Sequence, residues 1–489
     1  MLLDESLIFE RGSAGRAGWM LPAPPNAVEL PPELRREDDL VGLPEVSELE
    51  VVRHFVRLSQ WNYSAATTLY PLGSCTMKYN PVVHEALVRL PGFSALHPLA
   101  PDQLAQGALE LLAQLEAALE AMSGLDAVCL QPAAGAHGEL LGMLVARAYH
   151  RERSDARRRR VLIPSSAHGT NAATSTLAGY EVREVPGDHR GLLTVRAVAE
   201  VMDDSVAAVM VTNPNTLGLF EEELEAIAAL VHERGGLVYM DGANLNAILG
   251  IARPGDMGVD IAHFNLHKTF STPHGGGGPG AGPVAVRASL AGYLPIPRLV
   301  RRGGQLAWSE DAPKSIGRLH AFNGNFGVLV RAVAYILRLG GPGLTEATRL
   351  AVLNANYIRA RLRGSYHLPY DTPSLHECVF SDRDLQEHGV HTVDVAKRLL
   401  DYGFYAPTIY FPLVVKGALM IEPTETETKE TLDAFVDALL RIAEEARTQP
   451  ALVRDAPHQT RVTRLDETRA ARRPVLRWRP PARESAEIP

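Results

Sequence analysis

The sequence predicts an α/β fold with a largely parallel sheet, and two patterns support that prediction. Short apolar runs alternate with helical segments from about residue 126 to residue 270. Buried strands of a parallel sheet are nearly continuous apolar runs, and each crossover between them needs a connecting helix. Small or polar residues follow the apolar runs, as expected where strand ends open onto a ligand site.

The predicted elements follow in order along the chain. Helices are predicted from the spacing of apolar residues at 47–60, 103–122, 138–150, near Asn171, 195–202 and 221–234. Strands are predicted at 127–130, 161–164, 180–185, 206–211 and 237–240, with another apolar strand just before Lys268. Ser47 and Glu50 form a possible capping box at the start of the first helix. Two helices, 328–338 and 346–362, then precede an α+β region.

These elements predict four parts of the chain. Residues 1–95 are rich in proline and are predicted to form an arm that wraps over a core built by other residues. The large sheet domain is predicted at 96–327 and a smaller C-terminal α+β domain at 328–447. Residues 448–489 are predicted to form an extended tail.

Composition excludes several classes of protein. The chain is 46% hydrophobic and 22% charged with a formal net charge of −8, so no overall charge favours nucleic acid or an anionic membrane. No apolar run reaches the roughly 18 residues that span a bilayer, and the start of the chain lacks signal-peptide features. Three widely spaced cysteines fit neither a metal site nor a disulfide framework. We expect a cytoplasmic protein without a structural metal.

Three predicted strands end in residues that could hold a phosphorylated ring. The turn after the first strand contains Ala134, Gly135, Ala136 and His137, whose backbone could approach a phosphate at a helix N-terminus. Many strand-to-helix turns look alike, however. His168 could lie on a flat ring or could cap a helix. Asn213 could donate to a phenolic oxygen or could form an Asx turn.

The next two strands end in Asp241 and in His267-Lys268. A carboxylate at the depth of Asp241 needs a cationic partner, which a protonated pyridine nitrogen would supply. A magnesium ion or a sugar hydroxyl is the rival partner. Lysine avoids burial, and a buried lysine readily loses its proton, as a Schiff base requires. The glycine-rich segment 273–280 that follows could be a lid or a close-packing turn.

The order of these residues matches fold-type-I pyridoxal-phosphate enzymes. In that layout Lys268 carries pyridoxal 5′-phosphate as a Schiff base, Asp241 pairs with the pyridine nitrogen, and His168 stacks on the ring. The phosphate lies at the turn from Ala134 to His137, with His267 as a further contact. Thr170, Asn213 and Ala243 complete the predicted cofactor set.

The residues around this layout resemble the signatures of the glycine decarboxylase family. The matching segments are YPLGSCTMKYNP (70–81), QPAAGAHGE (131–139), NPNTLGLFE (213–221), DGANLNAI (241–248) and NLHKTFSTPHGGGGP (265–279). Shorter matches at 315–318, 323–327, 376–377, 410–412, 422–427, 465–467 and 470–472 extend the resemblance over nearly the whole chain.

The resemblance implies that the chain decarboxylates glycine and transfers the aminomethyl group to the lipoyl disulfide of the glycine cleavage H protein. The length of 489 residues fits the lysine-bearing subunit 2 of the two-subunit form. A lysine-lacking subunit 1 is therefore expected to complete an α2β2 heterotetramer.

The side of the site that faces the substrate is less well defined by the sequence. Tyr70, Ser74, Cys75 and Thr76 could line it, or could belong to a structural turn. Arg318 could bind the glycine carboxylate or could form a surface salt bridge.

Two other functions remain open from the residues. Another fold-type-I lyase or aminotransferase would act on a larger amino acid. A non-catalytic scaffold subunit of the same complex should lack the lysine, so Lys268 argues against that alternative.

Overall fold

The computed structural model describes residues 5–18, 22, 28–35, 43–274 and 280–478. The chain divides into two compact units, one formed by 1–64 with 462–489 and the other by 65–461. The helices are α1 Glu48–Ser59, α2 Val82–Val88, α3 Pro91–Ser94, α4 Gln106–Ser123, α5 Gly135–Glu152, α6 Gly169–Leu177, α7 Val195–Ala199, α8 Leu224–Glu233, α9 Leu266–Thr269, α10 Phe326–Leu362, α11 Thr392–Asp401, α12 Lys429–Thr448, α13 Pro450–Arg454 and α14 Glu467–Arg472.

The strands are β1 Ala127–Cys129, β2 Arg160–Pro164, β3 Glu181–Val185, β4 Val206–Thr212, β5 Leu237–Gly242, β6 Ile261–Phe264, β7 Val284–Val286, β8 Arg298–Arg302, β9 Gln305–Ser309, β10 Cys378–Ser381, β11 Thr408–Ile409 and β12 Ala418–Ile421.

The smaller unit contains α1, which begins at the predicted capping box. The backbone N–H of Glu50 donates to Ser47 Oγ at 3.3 Å, and the Glu50 carboxylate accepts from the Ser47 N–H at 2.8 Å. Each contact satisfies a backbone group that the first helical turn leaves without a partner. This confirms the predicted start of the helix.

The larger unit is built on a seven-stranded sheet in the order β1-β7-β6-β5-β4-β2-β3. Strands β3, β2, β4, β5 and β6 are parallel, whereas β7 runs antiparallel to both of its neighbours. Among the described residues between β6 and β7, the one helix is α9, which is a single turn and shorter than the crossover helices that join parallel strands. The sheet is therefore mixed, and β7 returns directly beside the strand that leads to Lys268.

Helices cover both faces of this sheet. Val209 and Met240 face a core that includes Leu115 of α4 and Leu329 of α10. The alternate residues, such as Tyr239, face a second core against α5. Every residue of β4 is buried, as a parallel strand with two covered faces requires.

A three-stranded antiparallel sheet, β10-β12-β11, forms the smaller part of this unit. Its core contains Phe380, Phe435 and Leu439, together with Leu69 from the start of the unit. Leu72 forms a β-bridge with Ile421. The early part of the chain thus belongs to the same core as residues near its end.

The two predicted helices after Gly327 are present as the two arms of α10, which are separated by the non-helical Gly340 (φ 60°, ψ −179°). Val328 and Leu329 lie in the core of the large sheet, and Ile358 and Leu362 lie in the core of the small one. By length and composition alone, α10 is the one helix among the described residues that could cross a membrane. Its buried residues instead pack inside the protein.

The predicted extended tail differs from the structure. α12 continues to Thr448, and the residues beyond it form α13 and α14. Pro450 starts α13, where its missing N–H has no cost, and Asp466 caps α14 by accepting from the Arg469 N–H at 2.9 Å. The tail is therefore not extended throughout, and the four predicted part boundaries stay a prediction.

Candidate active site

A cavity of about 170 Å³ opens where β4, β5 and β6 end and α5 and α6 begin. It is lined by Ser74, Gly135, Ala136, Glu139, His168, Thr170, Thr212, Thr216, Asp241, Ala243, Asn244, His263, Asn265, His267 and Lys268. Parallel strands bring their carboxyl ends to one edge of a sheet, so residues far apart in sequence meet here. Nine of the predicted site residues are in this lining.

Asp241 ends β5 and is almost completely buried. Its Oδ2 accepts from Asn171 Nδ2 at 3.0 Å, and its Oδ1 accepts from the Ala243 N–H at 2.9 Å. Burial alone would raise the pKa of this carboxyl, but His263, these hydrogen bonds and the Lys268 charge together lower it. Asp241 is therefore ionised and able to hold a proton on a neighbouring nitrogen.

His263 lies beside Asp241 on the adjacent strand β6. Its Nδ1 is 2.7 Å from the hydroxyl of Tyr239, and its Nε2 is 3.4 Å from Oδ1 of Asp241. Burial lowers the pKa of His263 despite the nearby carboxylate. The ring contacts Asp241 from the neighbouring strand.

Glu139 is a site residue that the sequence interpretation missed. Its carboxylate accepts from the hydroxyls of Thr170 and Thr174 at 2.9 and 3.1 Å and from Asn171 Nδ2 at 3.0 Å. Burial, with the charge of Asp241, raises the pKa of Glu139 to about 7. The sequence did contain a signal for Glu139. It lies in the first turns of α5, and the start of that helix was already predicted to belong to the site.

Lys268 lies in the short helix α9, directly after β6. Its Nζ donates to the backbone carbonyl of Ser74 at 2.8 Å. The lysine therefore spans from the sheet edge to a turn near the start of the unit. Ser74 also lines the cavity, as the substrate-side prediction required.

The turn around Ser74 is held by a second buried cluster, which sequence reasoning also missed. Glu377 Oε2 accepts from the Ser74 N–H at 2.8 Å, and Glu422 accepts from the Thr76 N–H and hydroxyl at 2.9 and 2.5 Å. His376 lies 3.7 Å from Glu377 and 4.0 Å from Glu422. Burial lowers the pKa of His376 to about 3, so its ring is neutral.

The residues of the cavity fit a phosphorylated aromatic cofactor. Thr212 Oγ1 and Asn244 Oδ1 line the cavity and are buried without a hydrogen-bond partner, so polar groups remain for a ligand. Gly135 starts α5, where a Cβ would lie 2.3 Å from Asn265 Oδ1. A side chain at this position would fill the space at the helix N-terminus, where N–H groups favour an anion.

His168 and Thr170 lie at the cavity mouth. His168 caps α6 by accepting from the Thr170 N–H at 3.2 Å, and its Nδ1 is 2.7 Å from Thr170 Oγ1. Its ring meets Phe411 edge-on at 5.5 Å. The histidine is therefore a helix cap that also lines the cavity, and its stacking on a cofactor ring stays a prediction.

Several predicted residues do not line the cavity. Asn213 accepts from the Glu221 N–H at 3.0 Å, which makes its amide part of a buried turn. Arg318 is half-exposed and pairs with Glu310, the surface salt bridge that was its alternative. Tyr70 stacks on Tyr405 at 4.2 Å.

The remaining predicted residues lie just outside the cavity lining. Ala134 precedes α5 as its N-cap, and His137 accepts from the Ala133 N–H at 3.2 Å. Thr76 is held by Glu422, and the Cys75 carbonyl lies 3.2 Å from His274 Nε2. His267, which lines the cavity, accepts from the Ala281 N–H at 3.3 Å. Most of the predicted lid, 275–279, lies outside the described residues.

Two family models match the chain. The model described as "Glycine cleavage system P-protein" matches residues 26–304, and "Glycine dehydrogenase, C-terminal domain" matches residues 347–460. Together they cover the seven-stranded and three-stranded sheets of the larger unit. The first match contains Asp241 and Lys268, and the second contains Glu377 and Glu422.

Curated relatives match over almost their whole length. The chain is 54% identical to a probable glycine dehydrogenase (decarboxylating) subunit 2 from Caldanaerobacter subterraneus subsp. tengcongensis, over 97% of this chain and 98% of that protein. It is 53% identical to the protein of that name from Bacillus licheniformis, over 97% and 99%. The archaeal protein from Thermococcus onnurineus is 51% identical over 97% and 96%.

Solved structures share the fold at lower identity. A glycine decarboxylase (P-protein) in inhibitor-bound form superposes with a TM-score of 0.71 at 22% identity, over 84% of this chain and 93% of that chain. A sphingosine-1-phosphate lyase from Burkholderia pseudomallei superposes with a TM-score of 0.63 at 16% identity, over 85% and 94%. These likenesses confirm the predicted fold of fold-type-I pyridoxal-phosphate enzymes.

Proposed function

The chain belongs to the glycine cleavage system P-protein family, and on that premise we propose that it decarboxylates glycine. Carbon dioxide is released, and the aminomethyl group passes to the lipoyl disulfide of the glycine cleavage H protein. One sulfur of that disulfide receives the group and the other becomes a thiol, so the disulfide is the oxidant. The observation that carries the proposal is the pairing of an ionised Asp241 with Lys268 in one cavity.

The donor set of the cavity suits pyridoxal 5′-phosphate. When bound, this cofactor supplies an electron sink for the electron pair that remains when the glycine carboxylate leaves. Lys268 would carry it covalently, and Asp241 would keep its ring nitrogen protonated. His168 would cover the ring, while the N-terminal turn of α5 at Gly135 and Ala136 would hold the phosphate.

The protein's own groups prepare these roles. Asn171 donates to both Asp241 and Glu139 and so orients the two carboxylates. The N–H of Ala243, two residues after Asp241, fixes the second oxygen of that carboxylate. These contacts keep the charge of Asp241 in place without rearrangement during the reaction, which is how a preorganised site stabilises developing charge.

The relatives' description as subunit 2 supports a partner chain. We propose that the partner is subunit 1, which lacks the lysine, and that two copies of each chain form an α2β2 heterotetramer. The lipoylated H protein is the second partner, and the complex is cytoplasmic. Other fold-type-I lyases, aminotransferases and a non-catalytic scaffold are not favoured, because relatives with more than half of their residues identical carry the glycine dehydrogenase name.

Borohydride reduction followed by peptide mass spectrometry tests the role of Lys268. The reduced cofactor should be found on the peptide that contains Lys268 and should be absent from Lys268→Arg. A cofactor attached to another lysine, or no attachment to the wild-type chain, would refute this assignment.

Co-expression with subunit 1 tests the reaction itself. The purified complex should exchange labelled bicarbonate into the glycine carboxyl only when lipoylated H protein is added. The chain alone should show no exchange. Full activity of the single chain would contradict the heterotetramer, and exchange with a larger amino acid would favour the alternative lyases.

A further inference from the structure

The turn that contacts Lys268 has an unusual backbone. Ser74 and Thr76 both have positive φ, at 64° and 48°, which costs energy for residues with a side chain. The Ser74 carbonyl accepts from Lys268 Nζ at 2.8 Å, and the Gly73 carbonyl accepts from Thr408 Oγ1 at 2.7 Å. A strained turn persists only when neighbouring groups stabilise it. The groups that stabilise this turn therefore indicate what the turn does.

Two fully buried glutamates hold the turn from behind. Glu377 accepts from the Ser74 N–H, and Glu422 accepts from both the N–H and the hydroxyl of Thr76. The two side chains come from the small sheet region and are 0% exposed. They fix the peptide groups on both sides of the carbonyl that Lys268 contacts.

The same glutamates act on the turn through hydrogen bonds and not through an ion pair. Among the described residues, neither glutamate forms an ion pair with an arginine or a lysine within 4.0 Å. Their histidine neighbour, His376, is neutral. Burial outweighs the charge of Lys268, so the pKa of both carboxyls is raised. The contacts of the pair with the Ser74 and Thr76 N–H groups therefore position the carbonyl that Lys268 contacts.

We propose that the Ser74 carbonyl, positioned by Glu377 and Glu422, is the docking site of the Lys268 amine while a substrate amine occupies the cofactor. Glu377 and Glu422 are positioning residues, because they act on Lys268 through the turn. This inference depends on the proposed attachment of the cofactor to Lys268.

The docking site has a consequence for amine exchange. A primary amine that replaces Lys268 forms a new carbon–nitrogen double bond to the cofactor, and the bond to Lys268 breaks. Lys268 is released as a free amine, which takes a proton from solvent and can dock on Ser74. No electrons are transferred. Stabilising the released lysine shifts this equilibrium toward exchange, and removing the docking site shifts it back.

Methylamine titration of the cofactor-loaded subunit complex, followed by the absorbance of the bound cofactor, measures this equilibrium. Glu377→Ala should raise the half-saturating methylamine concentration by about fivefold to tenfold, the effect of losing one ordinary hydrogen bond. Glu377→Gln should resemble the wild type, because its amide oxygen still accepts from the Ser74 N–H.

Glu221→Ala is the matched control. Glu221 is equally buried and also accepts a backbone N–H, from Leu193 at 2.7 Å, but it does not contact the turn. It should exchange methylamine as the wild type does even if its melting temperature falls. An equal shift in Glu221→Ala, or no shift in Glu377→Ala, would overturn the inference.

The experiment also gives a result when a variant does not fold or when the wild-type complex does not respond to methylamine. If Glu377→Ala does not fold, Glu422→Ala takes its place, because it removes the contacts with Thr76, and a half-saturating concentration equal to that of the wild type refutes the inference. A wild-type complex whose absorbance does not respond to methylamine, together with no cofactor on Lys268 after borohydride reduction, would instead contradict the proposed function.

Discussion

Among the side chains of the candidate site, Glu139 and Asp241 behave differently although they share one hydrogen-bond donor. Asn171 Nδ2 lies 3.0 Å from an oxygen of each carboxylate. Burial and the charge of Asp241 raise the pKa of Glu139 to about 7, whereas the pKa of Asp241 is lowered. Near neutral pH, Asp241 thus keeps its charge and Glu139 is the carboxyl that exchanges a proton.

The raised pKa of Glu139 predicts a pH-dependent stability. An acid whose pKa rises from 4.5 to about 7 on folding stabilises the fold below pH 4.5, and that contribution is lost as the pH rises through 7. In cofactor-free protein, Glu139→Gln should gain about 3 kcal/mol relative to wild type between pH 4 and pH 8. Urea unfolding at several pH values measures this, and parallel pH curves for the two proteins would contradict it.

Asp241→Asn should remove the charge that holds a proton on the cofactor ring. The bicarbonate exchange rate should fall on the order of 10²- to 10³-fold, while the protein stays folded. Asp260→Asn provides a control, because Asp260 is also buried but accepts from the Val238 N–H at the opposite ends of the strands. Equal losses of exchange in the two variants would argue against a specific role for Asp241.

The sequence could predict a site residue where its position follows from the neighbouring residues, and could not where its position depends on contacts distant in sequence. Asp241 and Lys268 directly follow apolar strands, so the fold class alone brings them to one edge. Glu377 and Glu422 come from another sheet and reach the turn at Ser74 through contacts about 300 residues apart in sequence. No local sequence pattern predicts such a contact, although both glutamates lie within segments that resemble the glycine decarboxylase family.

A buried lysine joins the segment before α2 to several elements of the larger unit. Lys78 Nζ donates to Asn246 Oδ1 at 2.9 Å, the Thr269 carbonyl at 2.8 Å and Glu425 Oε1 at 2.7 Å, and it lies 3.2 Å from Tyr335 Oη. The pKa of Lys78 is raised, because these partners outweigh burial, which alone would lower it. The contact with Thr269 ties this lysine to α9, the helix that carries Lys268.

Lys78→Met should therefore destabilise the protein by about 3–5 kcal/mol, since Glu425 would remain buried without its counter-charge. Lys429→Met is the matched control, because the exposed Lys429 pairs with Asp433 one helical turn away. That change should cost less than about 1 kcal/mol. Denaturant midpoints measure both, and similar losses in the two variants would contradict the prediction.

The sequence predicted the positions of helices and strands better than it predicted how the chain connects them. The strand-and-helix alternation follows from local apolar patterns, and most of the predicted elements are present within a few residues. The antiparallel direction of β7 is seen in its pairing with β1 and β6, which local patterns do not describe. At Gly340 the backbone is non-helical, so the two helices predicted on either side of it are both present.

As a whole, the larger unit contains two hydrophobic cores that share α10. The first arm packs against the large sheet and the second against the small one, with the change of direction at Gly340 between them. The backbone of Gly340, with φ 60° and ψ −179°, is a conformation essentially restricted to glycine. This residue therefore sets the angle at which one helix serves both cores.

Gly340→Ala should destabilise the larger unit by about 1–3 kcal/mol through backbone strain. Gly341→Ala is the control, because a Cβ there meets no atom within 4 Å and its φ is not positive. Its stability should stay within about 0.5 kcal/mol of the wild type. Thermal unfolding of both variants checks this, and a neutral Gly340→Ala would contradict the strained geometry.

The bridge between Leu72 and Ile421 has a consequence for protein synthesis. Leu69 and Leu72 leave the ribosome roughly 350 residues before β12, whose Ile421 they pack beside. At about 5–20 residues per second, the early segment waits between about 20 and 70 s for its partner strand. During that time Leu69, which is 1% exposed in the finished fold, has no core to enter. We expect nascent chains to hold this segment open to proteases, or to chaperones, until translation is nearly complete.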